Sequence, residues 1–254
     1  MGEGVNLPPS PIGRGDGGEG FCDSSLLMSL EILKQEAAEK AVEQVQSGMI
    51  LGLGTGSTTR YATMKIGSLW QSGQLTELIV IPTSEQTAAL AREYGLPLGS
   101  LNEYPMIDLA IDGADQVDDD LNLVKGLGGA LLREKIVEAA ARRFVVIVDD
   151  SKLVKQLSFV PVEVTQFAWQ AHERWLGQLG AKTQLRLKAN QPYITDNGNY
   201  IIDCTFADGI ADLPQWAATL DTHPGIVEHG FFLGMADEVV VASVARGVFT
   251  LTKK

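Results

Sequence analysis

Short apolar segments alternate with amphipathic segments through the first 150 residues, and this alternation constrains the fold more than any other feature. Apolar runs that predict buried strands cover residues 49–54, 77–82, 108–112 and 143–149. Helical periodicity covers residues 29–47, 57–71, 84–94 and 131–142. Apolar strands alternating with amphipathic helices indicate an α/β fold, with a mostly parallel sheet that carries helices on both faces.

The pattern changes after Phe159, where strands and helices no longer alternate regularly. Strands are predicted at 161–166, 182–188 and 226–232, helices at 167–179 and 213–220, and a hairpin in which 193–195 and 200–205 flank the turn DNGN. An apolar strand at 238–243 is expected to return to the first sheet. The sequence therefore predicts a main domain of residues 28–159 and 236–254, interrupted by a small α+β domain of residues 160–235.

Residues 1–27 differ from the rest of the chain, because glycine, proline and acidic residues follow one another without apolar periodicity. This composition predicts a disordered extension. It lacks the order of a secretory signal and is too acidic for a typical organelle transit peptide. The two cysteines, Cys22 and Cys204, form no disulfide framework or CxxC pair, so a cytoplasmic location is expected.

The charge balance bears on possible partners. The chain has 32 acidic and 20 basic residues, a formal net charge of -12, which argues against binding to nucleic acid or anionic membranes. No apolar run reaches the ~18 residues needed to span a bilayer. The three histidines show no metal-ligand spacing, so no metal site is predicted. A small phosphorylated metabolite remains compatible, since a few local N–H groups and lysines can bind it.

Polar motifs follow four of the predicted strands. GTGS follows the first, PTSEQ the second, DGAD the third and VDDSK the fourth. Ligands of open α/β sheets bind at the edge where the carboxyl ends of the strands meet. We therefore expect these four motifs to line one site.

The first motif lies in GLGTGSTT, residues 52–59, between a strand and a helix. N–H groups at a helix N-terminus suit an anion, and the Ser57 and Thr58 hydroxyls can add donors. The glycine spacing matches neither the dinucleotide fingerprint nor the P-loop. The alternative interpretation is a tight turn in which Ser57 caps the helix.

The second group of candidates lies between Asp112 and Glu134, in DGADQVDDDLNLVKGLGGALLREK. Together with Asp115 and Lys125, these side chains could supply proton transfer and charge stabilisation. The alternative is an ordinary turn for DGAD.

Helical periodicity predicts a surface position for Glu134 and does not indicate a role in proton transfer. The apolar stripe of its helix is Leu132, Ile136, Ala139 and Ala140, with Glu134 and Glu138 sharing another side. Periodicity alone therefore predicts an exposed Glu134. By the same default Lys34 and Lys152 are surface lysines, although Lys152 follows a strand end.

Four motifs in register carry a resemblance to a known family. GLGTGSTT, DGADQVD, KGLGGALLREK and VDDSK, together with PVEV and TDNGN, occur in the order and spacing of ribose-5-phosphate isomerase, type A. The resemblance covers the chain from about residue 29 to the C-terminus. It implies a Rossmann-like main domain with a small inserted ferredoxin-like α+β domain.

The same resemblance implies the roles of individual residues. Glu134 is expected to be the general base, with Asp112, Asp115 and Lys125 as further catalytic groups. The residues expected to bind substrate are Lys34, Thr55, Gly56, Ser57, Thr58, Asp112, Gly113, Ala114, Asp115, Lys125, Gly126, Leu127, Gly128 and Lys152. The glycine loop departs from the family's common KGGGAAL form, because Leu127 replaces a glycine and Gly129 an alanine.

The resemblance implies interconversion of D-ribose 5-phosphate and D-ribulose 5-phosphate through a cis-enediolate, in the non-oxidative pentose phosphate pathway. It implies no cofactor and a homodimer or homotetramer. The sequence disfavours two other classes of protein. A sugar-phosphate-sensing regulator would carry a DNA-binding module, for which residues 1–27 have too few basic residues. A nucleotide-dependent oxidoreductase is disfavoured by the glycine spacing.

Overall fold

The computed structural model describes residues 24–253, which fold into an α/β protein with a mostly parallel central sheet. The strands are β1 (Ile50–Leu53), β2 (Ile79–Pro82), β3 (Leu109–Gly113), β4 (Gln116–Val117), β5 (Leu123–Val124), β6 (Phe144–Asp149), β7 (Phe159–Val164), β8 (Lys182–Leu185), β9 (Leu187–Lys188), β10 (Gln191–Pro192), β11 (Tyr200–Thr205), β12 (Ile226–His229), β13 (Phe231–Phe232), β14 (Glu238–Ser243) and β15 (Gly247–Thr252). The helices are α1 (Ser24–Val42), α2 (Ser57–Gln71), α3 (Glu85–Glu93), α4 (Leu131–Ala139), α5 (Trp169–Gln178) and α6 (Leu213–Asp221). The predicted fold class is confirmed.

Helix α1 begins earlier than the periodicity predicted. It starts at Ser24, inside the segment expected to be a disordered extension, and ends at Val42. The rest of that predicted extension, residues 1–23, lies outside the described residues. Within residues 24–253 no helix is long and apolar enough to cross a membrane.

The central sheet has six strands in the order β15-β14-β6-β3-β1-β2. All pairs are parallel except β14 with β15, an antiparallel edge strand that the sequence did not predict. Alternate side chains of the strands enter cores on opposite faces: Leu109 and Ile111 pack with α1 and α2, and Ala110 packs on the other side. Burial of both faces explains why these strands read as continuous apolar runs.

A second sheet contains β12-β7-β11-β8, all antiparallel, with α5 and α6 completing its own core. Numbered within the unit, its strand order is 4-1-3-2 in a β-α-β-β-α-β sequence, which is the expected ferredoxin-like arrangement. We call this the four-stranded unit. It is built from residues 159–229, and the domain limits of 160–235 stay a prediction.

Three strand predictions in this region differ from the structure, and the first of them, 182–188, is divided at Arg186 into β8 and β9. Residues 193–195 form no strand with β11; β11 pairs with β7 and β8, and the short β10 pairs with β9. The DNGN turn itself is present, because Thr195 N–H donates to the Asn199 carbonyl at 2.9 Å. A turn signal specifies a local bend but not which strands flank it.

The predicted strand 226–232 is divided at Gly230. Phe231 and Phe232 leave the four-stranded unit and pair with β5 in a three-stranded sheet, β13-β5-β4. At the crossing the Lys125 N–H donates to the Gly230 carbonyl at 2.9 Å. A Cβ at Gly230 would overlap the Lys125 carbonyl, so only glycine allows this approach.

Candidate active site

The carboxyl ends of β1, β2, β3 and β6 lead into the four predicted motifs along one edge of the central sheet. A cavity of about 240 Å³ opens at this edge. Its lining contains Thr55, Gly56, Ser57, Thr58, Thr59, Gly113, Ala114, Asp115, Lys125, Gly126, Leu127, Gly128, Glu134 and Lys152. Every predicted site residue except Asp112 and Lys34 is in that list, and Thr59 is an addition.

A larger cavity, of about 630 Å³, lies elsewhere, between the loop at Asp118–Asp120 and the end of β15. Its lining includes three aspartates and none of the predicted site residues. Clustered carboxylates repel a phosphate, so the smaller cavity is the better candidate for an anionic ligand.

One wall of the smaller cavity is the anion loop, which we define as residues 54–59. Gly56, with a φ of 131°, precedes the first residue of α2, Ser57, and no side chain caps that helix end. The alternative in which Ser57 caps the helix is therefore wrong. The N–H groups of the first turn and the Ser57 and Thr58 hydroxyls are left for a ligand, at the end of α2 that carries partial positive charge.

Asp112 lies behind this loop and organises it. Its Oδ1 accepts hydrogen bonds from the Thr55 N–H at 3.1 Å, the Thr59 hydroxyl at 3.0 Å and the Gly113 N–H at 2.6 Å. Gly54 makes this approach possible, since a Cβ at that position would overlap the Asp112 carboxyl group. Asp112 thus fixes the loop from beneath.

A cluster of hydroxyl groups supports the same loop. The Thr55 hydroxyl lies 2.8 Å from the Thr83 hydroxyl and 2.7 Å from the Ser84 hydroxyl. Ser84 also caps α3 by accepting the Thr87 N–H at 3.1 Å. The PTSEQ motif after β2 therefore acts through Thr55, behind the residues that line the cavity.

Lys125 is the charged centre of the site and is only 2% exposed. Its Nζ lies 2.7 Å from Asp112 Oδ2, 3.3 Å from Glu138 Oε1 and 3.6 Å from Glu134 Oε2, and it donates to the Gly113 carbonyl at 2.6 Å. Burial by itself would lower the pKa of Lys125, but the three carboxylates outweigh it and raise that pKa. Lys125 is therefore a permanent cation.

Glu134 is buried, only 2% exposed, and the exposed position predicted from periodicity is wrong. The buried side of α4 consists of Leu131, Glu134, Val137 and Glu138. Ile136, from the predicted apolar stripe, is 51% exposed. The helical wheel assumed that α4 buries only apolar groups, whereas its first turn packs a carboxylate against Lys125.

Burial raises the pKa of Glu134 to about 8, with Lys125 opposing the shift and Asp112 and Asp115 adding to it. A carboxyl group with a pKa near neutrality can both accept and return a proton. Its place on the cavity wall makes Glu134 the best-placed base in the described part of the chain.

Glu138 is also buried and contacts Lys125, although it was not predicted as a site residue. Burial raises its pKa well above the usual value, against the attraction of Lys125, and Asp112 adds to the shift. The signal was present in the sequence: Glu134 and Glu138 are four residues apart and share one side of α4.

A second segment of the cavity lining is the glycine loop, which we define as residues 126–129. Asp115 Oδ2 accepts the Leu127 N–H at 2.9 Å. Burial raises the pKa of Asp115, while that N–H, Lys125 and Lys152 oppose the rise. Asp115 therefore holds one end of this loop.

The two departures of the glycine loop from the family pattern have separate explanations. Leu127 is 54% exposed and its φ is not positive, so a side chain is accommodated there. Gly129 has a φ of 81°, and a Cβ there would overlap the Tyr193 ring. Glycine at position 129 thus matches the tyrosine that this chain places above it.

The two remaining lysines differ in position. Lys152 follows β6 in a short 3₁₀ turn, Asp150–Lys152, and lines the cavity. Lys34, on α1, is not among the cavity's lining residues, and its Nζ pairs with Glu31 at 2.6 Å. Substrate binding by Lys34 therefore finds no support in its position.

One group of possible metal ligands occurs away from the cavity. Asp221, Glu228 and His229 place ligand atoms within 4.8 Å of one another. Lys135 Nζ contacts Glu228 and donates to the His229 carbonyl at 2.7 Å. The ammonium group of Lys135 thus supplies positive charge to this cluster.

The cavity combines a helix N-terminus that no side chain caps, a buried cation and a buried carboxyl group with a raised pKa. This arrangement defines a class: an α/β enzyme that moves a proton on a small anionic substrate. The family model for ribose 5-phosphate isomerase A (phosphoriboisomerase A) matches residues 79–245. The chain belongs to that family.

Individual relatives agree with this assignment. A probable ribose-5-phosphate isomerase 3, chloroplastic, of Arabidopsis thaliana is 48% identical over 238 residues, which are 90% of this chain and 86% of the relative. Ribose-5-phosphate isomerase A of Gloeobacter violaceus is 49% identical over 89% of this chain and 98% of its own length.

Solved structures agree as well. A D-ribose-5-phosphate isomerase in complex with phospho-erythronic acid has a TM-score of 0.85 and 42% identity, covering 88% of this chain and 99% of its own. The Plasmodium falciparum ribose 5-phosphate isomerase has a TM-score of 0.85 and 38% identity, with the same coverage.

Proposed function

We propose that this chain interconverts D-ribose 5-phosphate and D-ribulose 5-phosphate through a cis-enediolate, with Glu134 as the base. Membership of the ribose 5-phosphate isomerase A family supports the reaction. The observation that carries the assignment of roles is the burial of Glu134 on the wall of a cavity, 3.6 Å from the Lys125 cation, in a lining that also contains the uncapped N-terminus of α2.

The phosphate is assigned to the anion loop. N–H groups at the start of α2 and the hydroxyls of Ser57 and Thr58 offer donors to its oxygens. Binding energy at this remote group holds the sugar chain in place for proton transfer at C1 and C2. Lys152, on the same cavity wall as Asp115, adds positive charge.

Glu134 carries the proton. In its ionised form it removes the C2 proton of the open-chain aldose and returns it to C1, and the reverse steps give the aldose. Asp115, also on the cavity wall, relays hydroxyl protons, and Asp112 supports the site from behind through its ion pair with Lys125. Each proton removed from carbon returns to carbon, so no redox partner is needed.

Negative charge develops on oxygen in the enediolate. Lys125 supplies a cation that stays charged, and the glycine loop supplies backbone N–H groups. Both are fixed before substrate binds, so little reorganisation accompanies the reaction.

The direct test is to incubate the purified chain with ribose 5-phosphate and measure ketose formation. Glu134→Gln should fold normally and lose roughly 10²-fold or more in kcat, the scale of a positioned base. Glu93→Gln, an exposed carboxylate at the end of α3, serves as the matched control with unchanged turnover. Near-normal kcat in Glu134→Gln would remove the assignment of the base.

The anion loop is tested separately. Ser57→Ala should mainly raise KM for the phosphorylated sugar, because it removes a donor that binds substrate and transition state alike. Ser68→Ala is the control on the same helix, since that hydroxyl donates to the Met64 carbonyl on an exposed face. An unchanged KM in Ser57→Ala would contradict the phosphate assignment.

Two further expectations belong to the proposal. We expect a homodimer or homotetramer in the cytoplasm, measurable by light scattering of the purified full chain and by imaging of a tagged full chain. A monomer, or the chloroplast location that one relative's name records, would contradict them.

A further inference from the structure

The glycine loop is not held by its own sheet alone, because an arginine of the four-stranded unit reaches across to it. Arg186, between β8 and β9, donates from Nη1 to the Gly126 carbonyl at 2.7 Å and to the Leu127 carbonyl at 3.1 Å. Arg186 lies about 60 positions further along the chain than the loop it contacts. Nothing in the local sequence of either segment indicates the contact.

The guanidinium is itself fixed by a carboxylate. Asp203, on β11, accepts Arg186 Nε at 2.9 Å and also accepts Nη2, giving a two-point pair. Such a pair sets the plane of the guanidinium, which a single ammonium group cannot do. Nη1 is thereby directed at the loop.

Because of peptide geometry, this contact also sets the direction of the backbone N–H groups in the glycine loop. In a trans peptide the C=O and the following N–H point in opposite directions. The peptide joining Gly126 to Leu127 therefore offers its C=O to Arg186 and its N–H to Asp115. Arg186 and Asp115 hold this one peptide from its two sides.

The next peptide is oriented in the same way. The Leu127 carbonyl faces Arg186, so the Gly128 N–H points away from the guanidinium, on a residue that lines the cavity. Among the hydrogen bonds of residues 24–253, that N–H has no acceptor within the chain. It is left for an oxygen of the ligand.

We propose that Arg186 is a positioning residue, which, with Asp203, sets the peptides of the glycine loop so that their N–H groups face Asp115 and the substrate. The proposal rests on the proposed isomerase function. It assigns to the four-stranded unit a part in catalysis, since that unit supplies the residue that orients the donors.

Removal of Arg186 should act on the transition state more than on binding. The phosphate remains held by the anion loop, whereas the donors of the glycine loop lose their fixed direction. We expect Arg186→Ala to lower kcat roughly 10- to 100-fold, the scale of a misplaced group near the reaction, with KM changed less than about threefold. Arg186→Lys should restore little, because lysine cannot bind Asp203 and both carbonyls together.

The decisive measurement is chemical rescue. Free guanidinium, at concentrations that leave the wild type folded and fully active, should raise kcat of Arg186→Ala saturably, because it fills the space between Asp203 and the two carbonyls. Methylammonium at the same concentrations should rescue less. Loss of kcat without guanidinium rescue would overturn the positioning role and leave a merely structural one.

Arg143→Ala is the matched control. Arg143 pairs with Glu238 through one nitrogen, Nη2, and among the hydrogen bonds of residues 24–253 its side chain reaches no residue of the cavity lining. It should keep the wild-type kcat and show no response to guanidinium. Equal losses in both variants would overturn the proposal.

A second variant covers the case in which Arg186→Ala does not fold. Asp203→Asn keeps the arginine but loosens its two-point anchor, so kcat should fall less than in Arg186→Ala and KM should stay near the wild-type value. Unchanged kcat in Asp203→Asn and Arg186→Lys would overturn the inference. A wild type that forms no ketose from ribose 5-phosphate would instead remove the proposed function, so the two failures are distinguishable.

Discussion

The anion loop and the glycine loop both line the cavity, but they are supported in different ways. The anion loop follows β1 and leads into α2. It rests on Asp112 of the neighbouring β3, and the Thr87 hydroxyl of α3 donates to the Gly54 carbonyl. The glycine loop is held by Asp115 on one side and by Arg186 of a different part of the fold on the other, with Gly129 beside the Tyr193 ring. The supports of the anion loop come from neighbouring elements of the central sheet, while the glycine loop also depends on a side chain of the four-stranded unit.

The largest effect is expected at the support of the anion loop. Gly54→Ala places a methyl group on the Asp112 carboxyl, which must then release the Thr55 and Thr59 donors and shift relative to Lys125. We expect kcat/KM to fall roughly 10²-fold or more, since a displacement of about 1 Å near the reaction costs that much. Steady-state kinetics on folded protein provides the measurement.

Gly177→Ala is the control for that substitution, because a methyl group in α5 meets nothing closer than 4.0 Å. It should leave kinetics unchanged. Activity of Gly54→Ala equal to this control would show that the anion loop does not depend on Asp112. The support described for the anion loop would then be wrong.

The base that lies between the loops predicts a pH dependence. Burial raises the pKa of Glu134 to about 8, and only the ionised form can accept a proton. In the wild type, kcat/KM should therefore fall about tenfold per pH unit below that pKa and level off above it. A pH profile in which kcat/KM falls only near the ordinary glutamate pKa of 4.5 would mean that Glu134 is not desolvated in the free enzyme.

A smaller effect is expected in the glycine loop. Gly129→Ala introduces a side chain at a φ of 81° and a methyl group that overlaps the Tyr193 ring. We expect a fall in kcat of about tenfold, because one end of the loop must shift while Asp115 and Arg186 keep their contacts. Kinetics of the variant at saturating substrate measures it.

The double variant Gly129→Ala/Tyr193→Ala separates the two causes. It removes the overlap and leaves only the backbone cost of about 1 kcal/mol, so much of the lost kcat should return. Failure of Tyr193→Ala to improve kcat would show that the tyrosine does not shape the loop.

The smallest effect concerns the stability of the folded chain and depends on Glu138, beside Lys125. Burial raises the pKa of Glu138 in the folded chain, so the folded state retains a proton that the unfolded state has lost. Stability should therefore decrease as the pH rises above the unfolded value of 4.5. In Glu138→Gln the melting temperature should decrease less over the same pH range. Each kcal/mol of unfolding free energy corresponds to a shift of roughly 2–4 °C in melting temperature.

Glu93→Gln again supplies the comparison, since it removes an exposed carboxylate at the end of α3. Equal pH dependence of the melting temperature in wild type and Glu138→Gln would show that Glu138 is ionised in the folded chain. The balance of charge around Lys125 would then have to be revised.

Much of the central sheet could be predicted from the sequence, because strands buried on both faces leave continuous apolar runs bounded by glycine turns. Helix α2 was predicted with the observed limits, residues 57–71. The antiparallel β15 was missed, since its exposed edge carries a weaker apolar signal. The hairpin at DNGN was wrong because the partners of β11 come from distant segments.

The candidate site shows the same division. The motifs after β1, β3 and β6 could be placed at one edge because parallel strands put their carboxyl ends together. The orientation of α4 could not be predicted. Periodicity ranks polar residues as exposed, whereas Glu134 and Glu138 are buried around the cation of Lys125.

The sequence by itself determined the α/β class, the edge at which the polar motifs meet and, through its resemblance to a family, the identity of the reaction. Local periodicity and turn chemistry carry that information, since they act over a few residues. Only the tertiary structure decided that Glu134 is buried with a raised pKa, that Glu138 joins it and that Arg186 holds the glycine loop. Each of these depends on charges brought together from distant segments, where burial changes their energies.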